Sequence, residues 1–205
     1  MSKILTRNGI KRGEPAWGIA ELYPEQGGWD EEEYLDLPGN RLVEFDNGFI
    51  EVLPVPTTSH HTILAFLYNV LLAFTQPAEL GKVYFAGIPV RLWKGKFREP
   101  DILFMLARHA DRIGEKFWRG ADLVMEIVSA DPESRKRDIR DKRRDYARAR
   151  IPEYWIIDPQ KLEITVLRLS QGKYLVHGKF GKGETASSHL LKGFEVAVDT
   201  VFSQS

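Results

Sequence analysis

Two carboxylates lie in apolar surroundings where an acid is costly. Asp101 heads the run Ile102-Leu-Phe-Met-Leu106, directly after Pro100, and Glu126 lies inside Leu123-Val-Met-Glu-Ile-Val128. Short runs rich in Val, Ile and Leu read as strands buried on both faces. A carboxylate in such a strand needs a cation to meet it, either a metal ion or a Lys or Arg. If the two strands pair antiparallel with Asp101 opposite Glu126, Met105 falls opposite Asp122 and the apolar runs lie side by side. Cross-strand Cβ atoms are about 4.5–5.5 Å apart. Carboxylates that close repel, and a divalent cation between them removes the repulsion. The plain alternative is that Asp101 caps a turn and Glu126 pairs with some Arg. Each residue alone leans that way; the two together with the helix that follows favour a site.

That helix begins at Asp131-Pro132, an N-cap followed by Pro at the first helical position, and runs to about Arg150 before Ile151-Pro152. Asp138, Lys142 and Tyr146 are spaced i, i+4, i+8 and share one face. Ile139 and Ala147 join Tyr146 in covering the sheet, and Lys142 can project its ammonium toward the carboxylates while its stem packs on apolar surface. The alternative is an ordinary Asp138–Lys142 surface pair worth about 0.3–0.5 kcal/mol. Helix pattern alone favours that plainer reading.

These segments occur in a definite order: Pro100-Asp101, Glu126-Ile127-Val128-Ser129, Asp138-x-x-x-Lys142, Tyr146-Ala147, and Ile151-Pro-Glu-Tyr-Trp-Ile-Ile-Asp158-Pro159. Upstream stand Gly27-Gly-Trp29, Leu42-Val-Glu44-Phe-Asp-Asn-Gly48 and Pro56-x-x-Ser59-His60. The set, spanning roughly residues 20 to 170, resembles the Uma-two family. That family is mainly bacterial and is assigned to the PD-(D/E)-x-K nuclease superfamily with a restriction-endonuclease-like fold. The resemblance implies an α/β (α+β) protein: a mixed central β-sheet flanked by helices, with an extra N-terminal helix and hairpin. It implies hydrolysis of phosphodiester bonds in nucleic acid, with DNA as the expected partner. The catalytic set would be Asp101, Glu126, Lys142 and Glu44. Asp101, Glu126 and the backbone carbonyl of Ile127 would hold Mg²⁺ or Mn²⁺. His60 aligns with a recurrent His near the site, and Asp138 and Tyr146 are accessory candidates. The superfamily's Lys two places after the Glu is Val128 here, so the role passes to Lys142 on the helix. Arg135, Lys136, Arg140 and Arg143 would supply phosphate contacts, which position a strand without reading its sequence.

With 205 residues and 43% hydrophobic composition, the chain reads as an N-terminal arm over 1–28 and a single domain over 29–205. Formal net charge is +0, but residues 14–51 carry net −10 and residues 131–150 carry net +4. A basic helix on a neutral chain suits a local nucleic-acid contact, and a solvated helix face is the competing reading. The chain has no Cys, which excludes disulfides, thiolate zinc sites and Cys nucleophiles. Its longest apolar stretch, Ile63 to Phe74, is shorter than the roughly 20 residues a membrane span needs. A cytoplasmic protein is expected, with a homodimer useful for cutting both strands of a duplex.

Asp30 with Glu33 predicts a capping box opening a helix to Leu37, closed by Pro38-Gly39. Arg41–Phe45 and Phe49–Leu53 predict a hairpin through Asn47-Gly48, with Glu44 read on sequence alone as an exposed strand residue. A largely buried helix is predicted from His60 to Thr75 with Ser59 as N-cap. Adjacent His60 and His61 diverge by about 100° and do not chelate together. Two strand pieces within 82–92, a polar segment at 107–119 bearing His109, a buried strand at 153–158, a hairpin turning at Gln171-Gly172, and an edge strand at 194–198 complete the prediction. Two further readings compete with the nuclease: a non-catalytic nucleic-acid-binding or regulatory module, and a structural protein whose buried acids only pair with Arg.

Overall fold

The computed structural model describes residues 23–37 and 42–203. Most of the expected N-terminal arm, Arg41, and the Pro38-Gly39 stop lie outside them. Helix α1 (Glu31–Leu35) opens on the predicted capping box, with Asp30 and Glu33 each accepting from the other's backbone N–H. Strands β1 (Val43–Asp46) and β2 (Phe49–Val52) pair antiparallel across Asn47 and Gly48, both at positive φ, the conformation an Asn-Gly hairpin turn requires. Helix α2 (Thr58–Thr75) starts two residues before the predicted point. Its N-cap is Thr57, not Ser59, and the Thr57 side chain accepts from the His60 N–H. Either hydroxyl could cap; Thr57 holds the extended backbone an N-cap needs.

Strands β3 (Gly81–Phe85) and β4 (Val90–Trp93) fall where Gly87 and Pro89 divide the chain, but they enter different sheets. β5 (Lys96–Arg98) was not foreseen, because a three-residue strand with two basic residues carries no apolar period. β6 (Ile102–Leu106), β7 (Trp118–Arg119) and β8 (Leu123–Ile127) follow. β6 and β8 pair antiparallel with Ile102 opposite Met125 and Phe104 opposite Leu123, the predicted register. Extended by one residue, that register sets Asp101 against Glu126. The helical segment is interrupted: α3 (Pro132–Lys136) and α4 (Lys142–Arg148) are joined by a π turn over Arg137–Asp141, in which the Lys142 N–H donates to the Arg137 carbonyl. π turns recur at functional sites. Nothing in the spacing signals one here.

After α4 come β9 (Glu153–Asp158), the hairpin β10 (Glu163–Ser170) and β11 (Lys173–Phe180), a small pair β12 (Thr185–Ser187) and β13 (Glu195–Ala197), and α5 (Val198–Phe202). The main sheet has strand order β11-β10-β9-β8-β6-β3 and is mixed, with β8 and β9 parallel. A five-stranded sheet, β2-β1-β5-β4-β7, grows from the N-terminal hairpin. Side-chain alternation along the main sheet feeds two cores. Ile102, Phe104, Leu123 and Met125 pack with Ile63, Leu67 and Leu71 of α2. Leu103, Met105, Val124 and Val128 pack with Tyr146, Ala147 and Tyr154. By period two, Glu126 falls on the second face, beneath α4. A third cluster, Trp29, Tyr34, Phe45 and Phe97, joins α1 to the smaller sheet. No helix among the described residues is long and apolar enough to cross a membrane.

Candidate active site

The side chains of the site converge from several elements, with Lys142 and Tyr146 both on α4. Asp101 follows Pro100 at the entry to β6. Its Oδ2 accepts from the Ile127 N–H at 2.7 Å, and its Oδ1 lies 3.0 Å from Nε2 of His60, in the first turn of α2. Glu126, 2% exposed, accepts at Oε2 from Lys142 Nζ at 2.7 Å and at Oε1 from the Tyr146 hydroxyl at 2.5 Å. The Lys142 ammonium also faces Asp138 Oδ1 at 3.2 Å and Glu44 Oε1 at 3.8 Å. The i, i+4, i+8 face of the sequence reading thus turns inward as a whole, and the exposed Asp138–Lys142 pair of the plainer reading is not what forms.

Glu44 corrects an expectation. It is 2% exposed, not an exposed strand residue. Its partner is Arg98 of the unforeseen β5, which bonds Glu44 through Nη1 and Asp145 Oδ2 through Nη2 at 2.8 Å. The Glu99 N–H also donates to Glu44. Arg98 therefore fastens the hairpin to α4 beneath the site. Arg137, absent from the sequence-derived candidates, is a second addition: it stands on the cavity wall beside Asp138. Its only signal was adjacency to Asp138, which becomes meaningful through the π turn.

These groups border a cavity of about 350 Å³ whose wall includes His60, Glu99, Asp101, Glu126, Ile127, Arg137, Asp138 and Lys142. Glu44 and Tyr146 stand behind that wall. Of the four basic residues expected to touch phosphate, none is on it. Lys136 and Arg140 are exposed on the helix surface. Arg135 is turned to Asp158, with Nη1 3.0 Å from Oδ1, and Arg143 donates to the Tyr174 carbonyl at 3.2 Å. His109 lies apart from the site, its Nδ1 2.9 Å from Asp122.

Burial dominates the electrostatics. It pushes Glu126 up to about 8, aided by Asp101 and Asp138 and opposed by Lys142. Burial pulls Lys142 down, but Glu126, Asp138, Glu44 and Asp101 outweigh it and hold the ammonium above its ordinary range. His60 is raised as well: burial opposes its charge, and the hydrogen bond and charge of Asp101 outweigh burial. Glu44 is lowered, since Lys142 and Arg98 overcome the cost of its burial. The Tyr146 hydroxyl is pushed well up by burial and by Glu126, which keeps it a donor. Among the described residues no group of three or more His, Asp or Glu is arranged to hold a metal ion by itself. The carboxylates on the cavity wall, Asp101 and Glu126 among them, are hard oxygen donors. Mg²⁺ is commonly held by one or two carboxylates with the rest of its shell left to water and substrate phosphate, so these donors suit it.

Comparison with known proteins bears on this geometry. The family profile described as "Uma2: Putative restriction endonuclease" matches residues 31–199. A solved structure from Anabaena variabilis ATCC 29413, described as a "putative nuclease belonging to DUF820", superposes with a TM-score of 0.68 at 18% identity, covering 84% of this chain and 97% of that one. That likeness shows the fold, mixed sheets flanked by helices. No curated protein matches the sequence.

Proposed function

The chain belongs to the Uma2 family of restriction-endonuclease-like proteins, and we propose that it is a divalent-metal-dependent nuclease that hydrolyses phosphodiester bonds in DNA. The observation that carries this reading is the register that sets Asp101 against Glu126 at a cavity wall, with Lys142 2.7 Å from Glu126. Asp101, Glu126 and the Ile127 carbonyl would hold Mg²⁺ or Mn²⁺. Such an ion, when bound, supplies Lewis acidity at a phosphoryl oxygen and lowers the pKa of a coordinated water.

The chain's own groups have separate tasks. His60 faces Asp101 Oδ1 while the Ile127 N–H holds Oδ2, which fixes the carboxylate's orientation. Tyr146 fixes Glu126 in the same way. Lys142 places a full positive charge at the cavity wall, where it offsets charge developing on the phosphoryl group. Asp138 and Glu44 also face that ammonium, so its position would not depend on Glu126 alone were Glu126 to hold a metal. Burial raises the pKa of Glu126, so a divalent ion would compete with a proton there and its binding should strengthen as pH rises. A homodimer acting in the cytoplasm is part of the proposal, since cutting both strands of a duplex calls for two sites.

A second reading, a non-catalytic nucleic-acid-binding module, is favoured by one observation: each oxygen of Asp101 and Glu126 already faces a protein donor. Calorimetry with Mg²⁺ and Mn²⁺ on the wild type and on Asp101→Asn, followed by cleavage assays on DNA with Glu126→Gln, separates the two. The nuclease reading expects metal binding that Asp101→Asn abolishes and cleavage that Glu126→Gln abolishes. DNA binding indifferent to both substitutions, with no metal uptake even when DNA is present, would overturn it.

A further inference from the structure

A phosphodiester entering this cavity meets more acid than base. Five acids, Glu99, Asp101, Glu126, Asp131 and Asp138, share its wall with three basic residues, His60, Arg137 and Lys142. Two of the three cations are committed inside the site. His60 is held on Asp101, and Lys142, 4% exposed at its side chain, is surrounded by Glu126, Asp138 and Glu44. Arg137 is different. Its strongest partner, Glu51 Oε1 at 2.7 Å, belongs to a side chain 52% exposed on the edge strand β2. Its Nε is buried with no hydrogen-bond partner and lies 3.7 Å from Asp138 Oδ1. It is thus the cavity cation with donors to spare and with its anchor on solvent-exposed chain.

Arg137 also lines a second, polar cavity of about 380 Å³, with Arg98, Lys136 and Arg144 and the acids Asp46, Glu51, Glu133 and Asp141. Arg137 therefore lines both cavities. A planar guanidinium with a free Nε can bind a phosphate through two parallel N–H donors, which an ammonium cannot do. Resting on the nuclease reading above, we propose that Arg137 is the residue that binds the substrate phosphate, and that Glu51 holds it aside until nucleic acid displaces the Glu51 carboxylate. Arg137 and Asp138, the first two residues of the π turn, both line the cavity, one to take phosphate and one to retain Lys142.

The test is anisotropy of a labelled DNA duplex and the matching single strand, in Ca²⁺ over a salt series, with cleavage in Mg²⁺ measured in parallel. Arg137→Gln should weaken binding by about 10-fold to 100-fold, the range for losing hydrogen bonds to a charged group. The slope of log affinity on log salt should shrink by about one. Arg137→Lys should restore the slope without restoring affinity fully. Glu51→Gln should tighten binding by roughly twofold to fivefold, the yield of freeing one exposed ion pair. Unfolding midpoints of all three variants show whether the fold is intact. Wild-type binding and cleavage with an Arg137→Gln variant of unchanged affinity and slope would overturn the assignment and leave the nuclease reading standing. Weaker binding by Glu51→Gln would also overturn it, by showing Glu51 to be a support rather than a restraint. A wild type that neither binds nor cleaves would remove both readings together.

Discussion

Replacing Glu126 with Gln sets burial against ion pairing in a single measurement. The carboxyl is 2% exposed, and burial first, then Asp101 and Asp138, push it from 4.5 to about 8 against the pull of Lys142. A raised acid pKa means that the folded protein keeps a proton the unfolded chain has released. The resulting stabilisation is fully present below the unfolded value of 4.5 and is lost as pH rises through about 8. Each pKa unit is worth about 1.4 kcal/mol. The span is therefore on the order of 5 kcal/mol, and local relaxation trims it to a few kcal/mol. Gln has the shape of the protonated acid, can still accept from Lys142 through its carbonyl, and does not titrate. Urea unfolding of both proteins from about pH 5 to pH 9 is the assay, and His60, common to both, cancels to first order in the difference. The stability of Glu126→Gln relative to wild type should climb by a few kcal/mol across that interval. Parallel curves, or a wild type that gains on the variant as pH rises, would show that Lys142 rather than burial sets the charge of Glu126 and would refute the reasoning.

Three further substitutions probe the supports of the site. Tyr146→Phe removes the donor on Glu126 Oε1 and should cost about 1–3 kcal/mol in urea unfolding; an unchanged midpoint would mean the hydrogen bond contributes nothing. Arg98→Met leaves Glu44 and Asp145, 2% and 4% exposed, without their shared cation. The loss expected by the same assay is about 3–5 kcal/mol, as for breaking a buried pair from one side, and a near-neutral result would show that Lys142 and Lys96 suffice. At Gly81 a Cβ would come within 1.9 Å of the Met105 carbonyl oxygen, so Gly81→Ala must part β3 from β6. It should lower stability by about 1–3 kcal/mol, read as a fall in Tm, with an unchanged Tm counting against the close approach.

Local chemistry by itself determined much of this protein. The Asp30 capping box, the Asp131-Pro132 helix start, and the turns at Asn47-Gly48 and Gln171-Gly172 depend on residues within a few positions of one another, and all four form. The pairing of Asp101 with Glu126 was legible for a related reason. Set in that antiparallel register, Ile102, Leu103 and Phe104 lie beside Met125, Val124 and Leu123, so most of the two apolar runs face each other. The inward face of Asp138, Lys142 and Tyr146 was likewise legible as a face, though not as a buried one. Tertiary structure alone decided the rest. Glu44 is buried because Arg98 meets it from 54 residues away, on a strand too short and too basic to show a period. The smaller sheet forms because that strand bridges the hairpin to β4. Arg137, the first residue of the π turn, joins the site on the cavity wall, which no local sequence signal marks. Turns and caps are settled by neighbours along the chain, whereas a buried charge is settled by whichever opposite charge the fold brings to it.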